Sequence, residues 1–208
     1  GLAREVAWLV EEINREAPVW NLIGFIDENE DKWGSVLNGY PVLGGFAAVT
    51  REHYGNLNTV CAVGSPLNKK ILVERAQVAG LIFVNLIHPN VKMSTQVKMG
   101  VGNIVCVGNT LTVNIAIGDH VILNPACTVG HDCLIGDYTT VAPGTNISGN
   151  VIIEEGCDLG TGCVIIQGIR IGEWTVVGAG AAVIRDIPAH CTAVGVPAKP
   201  IKFQGRPL

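Results

Sequence analysis

The sequence predicts a chain of two architectures: a small α/β unit built on a parallel sheet, then an all-β solenoid of short strands. Three observations carry this. Composition changes near residue 98: eight of the eleven Phe, Trp and Tyr residues precede it, and lysine is absent between Lys98 and Lys199. Upstream, helix-spaced and strand-like apolar segments alternate. Downstream, every sixth residue from Met99 to Val183 is aliphatic, fifteen positions without a break, and so regular a short period marks a solenoid.

In the first part, Ala3–Arg15 carries Val6, Leu9, Val10 and Ile13 at helical spacing. Leu22–Ile26 reads as a short strand ending in Asp27 and Glu28. Thr59–Val63 reads as another, followed by Gly64 and by Ser65-Pro66, an N-cap residue with proline at the first helical position. That helix is expected to run to about Gln77, with Leu81–Val84 as the next strand. The strand–helix–strand rhythm implies a small parallel sheet. Such a sheet calls for a strand and a glycine turn ahead of Gly1, which the sequence does not contain.

In the second part, a spacing of six fits no helix face, because at 3.6 residues per turn the positions drift around the cylinder. It does fit short strands joined by corners. The fifth residue of each hexad and the first of the next are two apart and share one side of a strand. That fifth position is mostly small, as at Cys127, Cys133, Thr139, Cys157 and Cys163, and the second is often glycine, as at Gly118, Gly130 and Gly160. Glycine there suits a tight corner. Three hexads would close one triangular coil, giving about five coils around an aliphatic column.

The 208 residues suit one large domain or two small ones. Hydrophobic residues at 48% and charged residues at 15% exclude a disordered chain. A net charge of −4 argues against nucleic acid or an anionic membrane as the main partner. So few charges on so apolar a chain imply surface buried against another copy. The seven cysteines lack CxxC pairing and read as reduced thiols of a cytoplasmic protein. The acid-bearing amphipathic start is unlike a signal peptide, and no apolar stretch nears the ~18 residues of a membrane span.

The repeat, together with GLAREV at 1–6, FIDE at 25–28, AVGSP at 62–66, NLIHP at 85–89, GHDCLIGD at 130–137, SGNV at 148–151 and VGVPAK at 194–199, resembles the hexapeptide-repeat acyltransferases. The nearest branch is the sialic acid O-acetyltransferase and bacillosamine-pathway sugar N-acetyltransferase type. The resemblance implies a Rossmann-like nucleotide-sugar-binding domain over residues 1–86, a left-handed parallel β-helix over 87–187, and a tail over 188–208 that contributes to the coenzyme site. Left-handedness comes only from the resemblance, since crossover rules alone favour the right hand. It further implies acetyl-CoA as acyl donor and a homotrimer with sites between neighbouring β-helices.

Acyl transfer from a thioester needs a base for the nucleophile's proton, a donor for the tetrahedral oxyanion and a groove for the coenzyme. His131 occupies a corner position, so its imidazole points outward, and Asp132 beside it can hold its tautomer. From spacing alone a solvated corner histidine beside an acid fits as well; the resemblance places the family's catalytic pair on His131 and Asp132. Gly149 lies 18 residues on, one coil above that corner, and the family match makes its amide the contact to the acetyl carbonyl; a plain corner glycine is the alternative. Ala179, where the family usually has glycine, and Lys199, in VGVPAK, match coenzyme-binding positions, while Lys202 and Arg206 read equally as solvated tail. Asp27 and Glu28 follow a strand end, where parallel sheets bind ligands. With Ala62, Val63 and Gly64 they match nucleotide-contacting positions, or else are ordinary loop residues.

Cys133, two residues from His131, falls in the inward small position and is expected to pack rather than react. His120 also sits at a corner and suggests a surface role, His88, in NLIHP, resembles a family linker residue that caps the entry to the first coil, and His53 and His190 carry no pattern. His120 and His131 alone cannot supply a three-ligand zinc set, so no metal is expected. Two departures bear on the acceptor: Leu2 and Thr140 stand where the amino-sugar enzymes carry histidines around the sugar. The expected activity is acetylation of the amine of a nucleotide-linked amino sugar. O-acetylation of a sialic acid or related sugar is the alternative, and a non-catalytic β-helix scaffold or nucleotide-sensing subunit the alternative of another class.

Overall fold

The structure, a computed structural model, describes residues 1–49, 54, 55 and 57–203. Helix α1 (Leu2–Glu16) forms where the apolar spacing predicts it, and Val6, Leu9 and Val10 are buried. Beyond its end the chain folds back on Asn14, whose Oδ1 accepts the N–H groups of Val19 and Trp20 at 3.0 and 2.9 Å. Strands β1 (Phe25–Ile26), β2 (Val36–Leu37) and β3 (Tyr40–Gly44) form a sheet in the order β1-β3-β2. β1 and β3 run parallel, β2 and β3 antiparallel. Strands β4 (Asn58–Thr59) and β5 (Ile82–Phe83) pair in parallel on either side of helix α2 (Pro66–Val78). Ser65 Oγ accepts the Asn68 N–H at 3.5 Å and Pro66 opens that helix, as its start signal predicts.

The strands are shorter than the apolar segments that announce them, and the expected single sheet is two. β1 and β4 line one apolar slot of about 750 Å³, floored by Val6, Val10, Leu22, Leu43, Leu81 and Phe83. Among the described residues no strand lies between them.

From Leu86 the chain winds as a left-handed parallel β-helix. Up to Val183 each strand is two residues long and bonds a strand eighteen residues away: Thr110 pairs with Thr128, Thr128 with Asn146, Asn146 with Val164. Three sheets of six, five and eight strands make the walls of a triangular prism. Winding begins two hexads before the repeat read from Met99, since Leu86–Ile87 already pairs with Ile104–Val105. First and fifth hexad positions point inward, as Val129 and Cys133 show at 1% and 0% exposure, and each buried aliphatic contributes roughly 1.5–3 kcal/mol.

The corner glycines act differently from the expectation. The left-handed φ falls on the fourth hexad position, at His120 (56°), Asp132 (60°), Tyr138 (58°), Asn150 (55°) and Trp174 (54°), not on the second-position glycines. The second position needs glycine because successive coils touch there: a Cβ on Gly130 would stand 2.6 Å from Gly149 N, and one on Gly160 2.5 Å from Ala179 N.

The outer face of the eight-stranded wall carries the N-terminal unit, with Val6, Leu9 and Val10 of α1 packed on Leu86, Ile104 and Ile122. The same wall is extended by Cys191–Val194 and, antiparallel to it, Lys199–Phe203.

Candidate active site

His131 stands on the edge between the six- and five-stranded walls, because Thr128–Val129 belongs to the first and Leu134–Ile135 to the second. Its ring points out of the prism and is 49% exposed. Nδ1 lies 2.8 Å from Oδ2 of Asp132. Asp132 holds the left-handed corner conformation that Asp and Asn tolerate. Its Oδ1 accepts a hydrogen bond of 3.0 Å from Nδ2 of Asn114, at the same corner one coil earlier. The His131 bond first, then that of Asn114, holds the Asp132 carboxyl below the usual carboxylate range. An anion that accepts from Nδ1–H leaves Nε2 as the proton acceptor.

Nε2 lies against Gly149. A Cβ on Gly149 would come within 2.4 Å of Nε2 and 2.5 Å of Cε1, so glycine is what lets the ring lie there. The neighbouring N–H groups of Ser148 and Asn150 bond Ile165 O and His131 O. That of Gly149 has no acceptor among the described residues. A backbone donor held unpaired beside a base is what an oxyanion requires. Cys133 faces the other way: its Sγ donates to Ser148 O at 3.1 Å inside the prism, and burial pushes its thiol up, away from the reactive thiolate.

His131, Asp132 and Gly149 are thus brought together, and Asn114 joins them unannounced; its signal in the sequence is its place eighteen residues before Asp132. Ala179 and Lys199 are not at this edge. Ala179 stands between the eight- and six-stranded walls, and Lys199 is exposed at the start of the terminal strand. Lys202 is exposed on that strand too, and His53 and Arg206 lie outside the described residues.

Of the expected acceptor residues, Asp27, Glu28, Ala62 and Val63 line one crevice, the slot between β1 and β4. Both acids hold intrachain partners. Asp27 bonds Lys32 at 2.6 Å and the Asn29 N–H at 2.9 Å. Burial pushes its carboxyl up, yet those two bonds outweigh it and keep it low. Glu28 bonds Arg75 and accepts the Phe46 N–H. The Gly64 carbonyl oxygen accepts a hydrogen bond from Thr140 Oγ1 at 2.7 Å. Leu2 packs beside Val6 and Leu86.

The surface role expected of His120 is corrected. The ring is buried, stacked on Tyr138 with centroids 5.4 Å apart and met edge-on by Phe83 at 4.6 Å. Desolvation under the N-terminal unit pushes its pKa down. His88 is also buried, its Nδ1 accepting the Asn90 N–H at the start of the first coil. Among the described residues no three His, Cys, Asp or Glu side chains could hold a metal ion, and no helix is long and apolar enough to cross a membrane.

A hexapeptide β-helix with a histidine–carboxylate pair on an outer edge defines the class: an acyltransferase. Two family models match, the bacterial transferase hexapeptide (six repeats) over residues 114–149 and the PglD N-terminal domain over 1–76. No protein of curated function matches the sequence significantly. Among solved structures, PerB from Caulobacter crescentus, in complex with CoA and GDP-perosamine, is 31% identical with a TM-score of 0.85, over 93% of this chain and 91% of that one. WeeI from Acinetobacter baumannii AYE is 31% identical, TM-score 0.85, over 97% and 95%. The acetyltransferase domain of PglB from Neisseria gonorrhoeae FA1090, in complex with acetyl coenzyme A, is 32% identical, TM-score 0.81, over 93% and 92%. The chain belongs to the hexapeptide-repeat sugar acetyltransferase family that these structures represent.

Proposed function

We propose that this chain transfers acetyl from acetyl-CoA to the amine of a nucleotide-linked amino sugar, with His131 as general base. The observation that carries this is the outward imidazole held between Asp132 and Gly149. The amine nitrogen attacks the thioester carbonyl carbon while Nε2 of His131 takes an N–H proton. The carbonyl oxygen gains the negative charge in reach of the Gly149 N–H. Collapse re-forms the carbonyl and breaks the carbon–sulfur bond, and the imidazolium returns its proton to the departing thiolate. Products are an N-acetyl sugar and free coenzyme A. Asp132 stabilises the imidazolium throughout.

The same reading assigns the coenzyme to Gly149, Ala179 and Lys199, and the nucleotide to Asp27, Glu28, Ala62, Val63 and Gly64. A wall of the prism separates Ala179 from the His131 edge within one chain, which favours a homotrimer in which a neighbouring copy supplies the Ala179 edge. The side chains exposed near these edges, Leu134 and Val164, are apolar and suit such contacts. Seven unpaired thiols fit a cytoplasmic setting. GDP-perosamine, present with PerB, supports a nucleotide-linked amino sugar as the class of acceptor.

The test is thiol release from acetyl-CoA with nucleotide-linked amino sugars beside sialic acids and hydroxyl-only nucleotide sugars. Release with the amino sugars alone is expected. Release only with sialic acids or hydroxyl-only sugars would replace amine transfer by O-acetylation.

A further inference from the structure

Helix α2 buries Pro66, Lys69, Val73 and Ala76, and one member of that stripe is a cation. Lys69 has no exposed surface. Its Nζ donates to Thr140 Oγ1 at 2.8 Å and to Thr139 O at 3.3 Å, both on the eight-stranded wall. Thr140 has one hydroxyl proton and gives it to Gly64 O at 2.7 Å, so its lone pair is left to accept from the lysine. The turn that opens α2 is thereby tied to the coil that begins at His131.

The arrangement is costly for mere packing. Desolvation pushes the Lys69 ammonium down to about 7, with Cys61 and then Asp158 opposing the shift. A methionine would fill the same space without desolvating a charge. What the lysine adds is directional: two hydrogen bonds that fix where α2 sits along the wall.

We propose that Lys69 is a positioning residue which, through Thr140, holds the Gly64 turn and the acceptor's nucleotide on the eight-stranded wall, in register with the His131 edge of a neighbouring copy. This rests on the reading of Ala62–Gly64 as acceptor contacts.

The decisive variant is Thr140→Val, which keeps the shape and removes the hydroxyl, compared with Thr140→Ser, which keeps the hydroxyl. With a nucleotide-linked amino sugar, Thr140→Val and Lys69→Met are each expected to raise the acceptor KM about tenfold, and the double variant no further. The acetyl-CoA KM should stay within about twofold, and Thr140→Ser should retain the wild-type acceptor KM. An unchanged acceptor KM in Thr140→Val, or an equal rise in both KM values, overturns the proposal. Should the wild type accept no such sugar, the functional reading fails by itself. The link is then judged by hydrogen exchange over residues 62–66: faster exchange in Thr140→Val than in Thr140→Ser upholds it, and equal exchange rejects it.

Discussion

Two corners of one prism carry the same two residue types in opposite order, Asp119-His120 and His131-Asp132, and they behave in opposite ways. At the open edge the histidine takes the third hexad position, and the aspartate takes the left-handed fourth position and reaches its Nδ1. At the covered edge the aspartate comes first and is spent on coil-to-coil bonding, accepting the Val101 N–H at 2.7 Å. There the histidine takes the left-handed position and stacks in a column beneath the N-terminal unit. A histidine beside an acid is therefore not a base by composition. Its hexad position and what covers its wall decide.

That contrast can be broken from either side. The largest effect belongs to His131→Ala, expected to lower kcat about a thousandfold in a thiol-release assay, within the range of lost general-base catalysis. Asp132→Asn keeps the corner conformation and removes the charge that stabilises the imidazolium, and should lower kcat roughly tenfold to a hundredfold.

On the covered side the effects are on stability. Lys69 titrates near 7 when folded and near its ordinary 10.5 when unfolded. Between those values the unfolded chain holds the extra proton, so stability relative to Lys69→Met rises with pH. The melting temperature of the wild type minus that of the variant should rise by roughly 5 °C from pH 7 to pH 9; a constant value would show that Lys69 keeps its ordinary pKa, and its charge, on folding. Smallest of all is His120→Phe. Aromatic Tyr138 and Trp174 already occupy the same left-handed position in the column, so stacking survives and kcat should stay within about twofold. A large loss there would erase the distinction between the two corners.

The solenoid was legible because the period of six repeats over the whole second part, and inward and outward positions follow from it. That His131, Asp132 and Gly149 meet at one edge was legible for the same reason, through a corner position and an eighteen-residue step; the roles proposed for them came from the family resemblance, since spacing alone fits a solvated corner histidine and a plain corner glycine as well. The corner conformation was misassigned because glycine has two uses, left-handed φ and close approach, and only coordinates separate them. His120 was misread because what buries it, Phe83 and the N-terminal unit, lies on another part of the chain. Lys69 left a fainter trace, a single charge on the apolar stripe of α2, and its partners are some seventy residues away. The N-terminal strands are shorter than expected: Phe25–Ile26 and Ile82–Phe83 bond over two residues of longer apolar runs, and the strand expected over Thr59–Val63 bonds at Asn58–Thr59, sharing only Thr59.

The central claim is that the reaction takes place at the edge holding His131, and a crystal structure with coenzyme A tests it most directly. The account predicts the coenzyme's sulfur beside the imidazole, within reach of the Gly149 N–H. A sulfur bound at the edge of Tyr138 and Trp174, or remote from His131 in every copy, would contradict it.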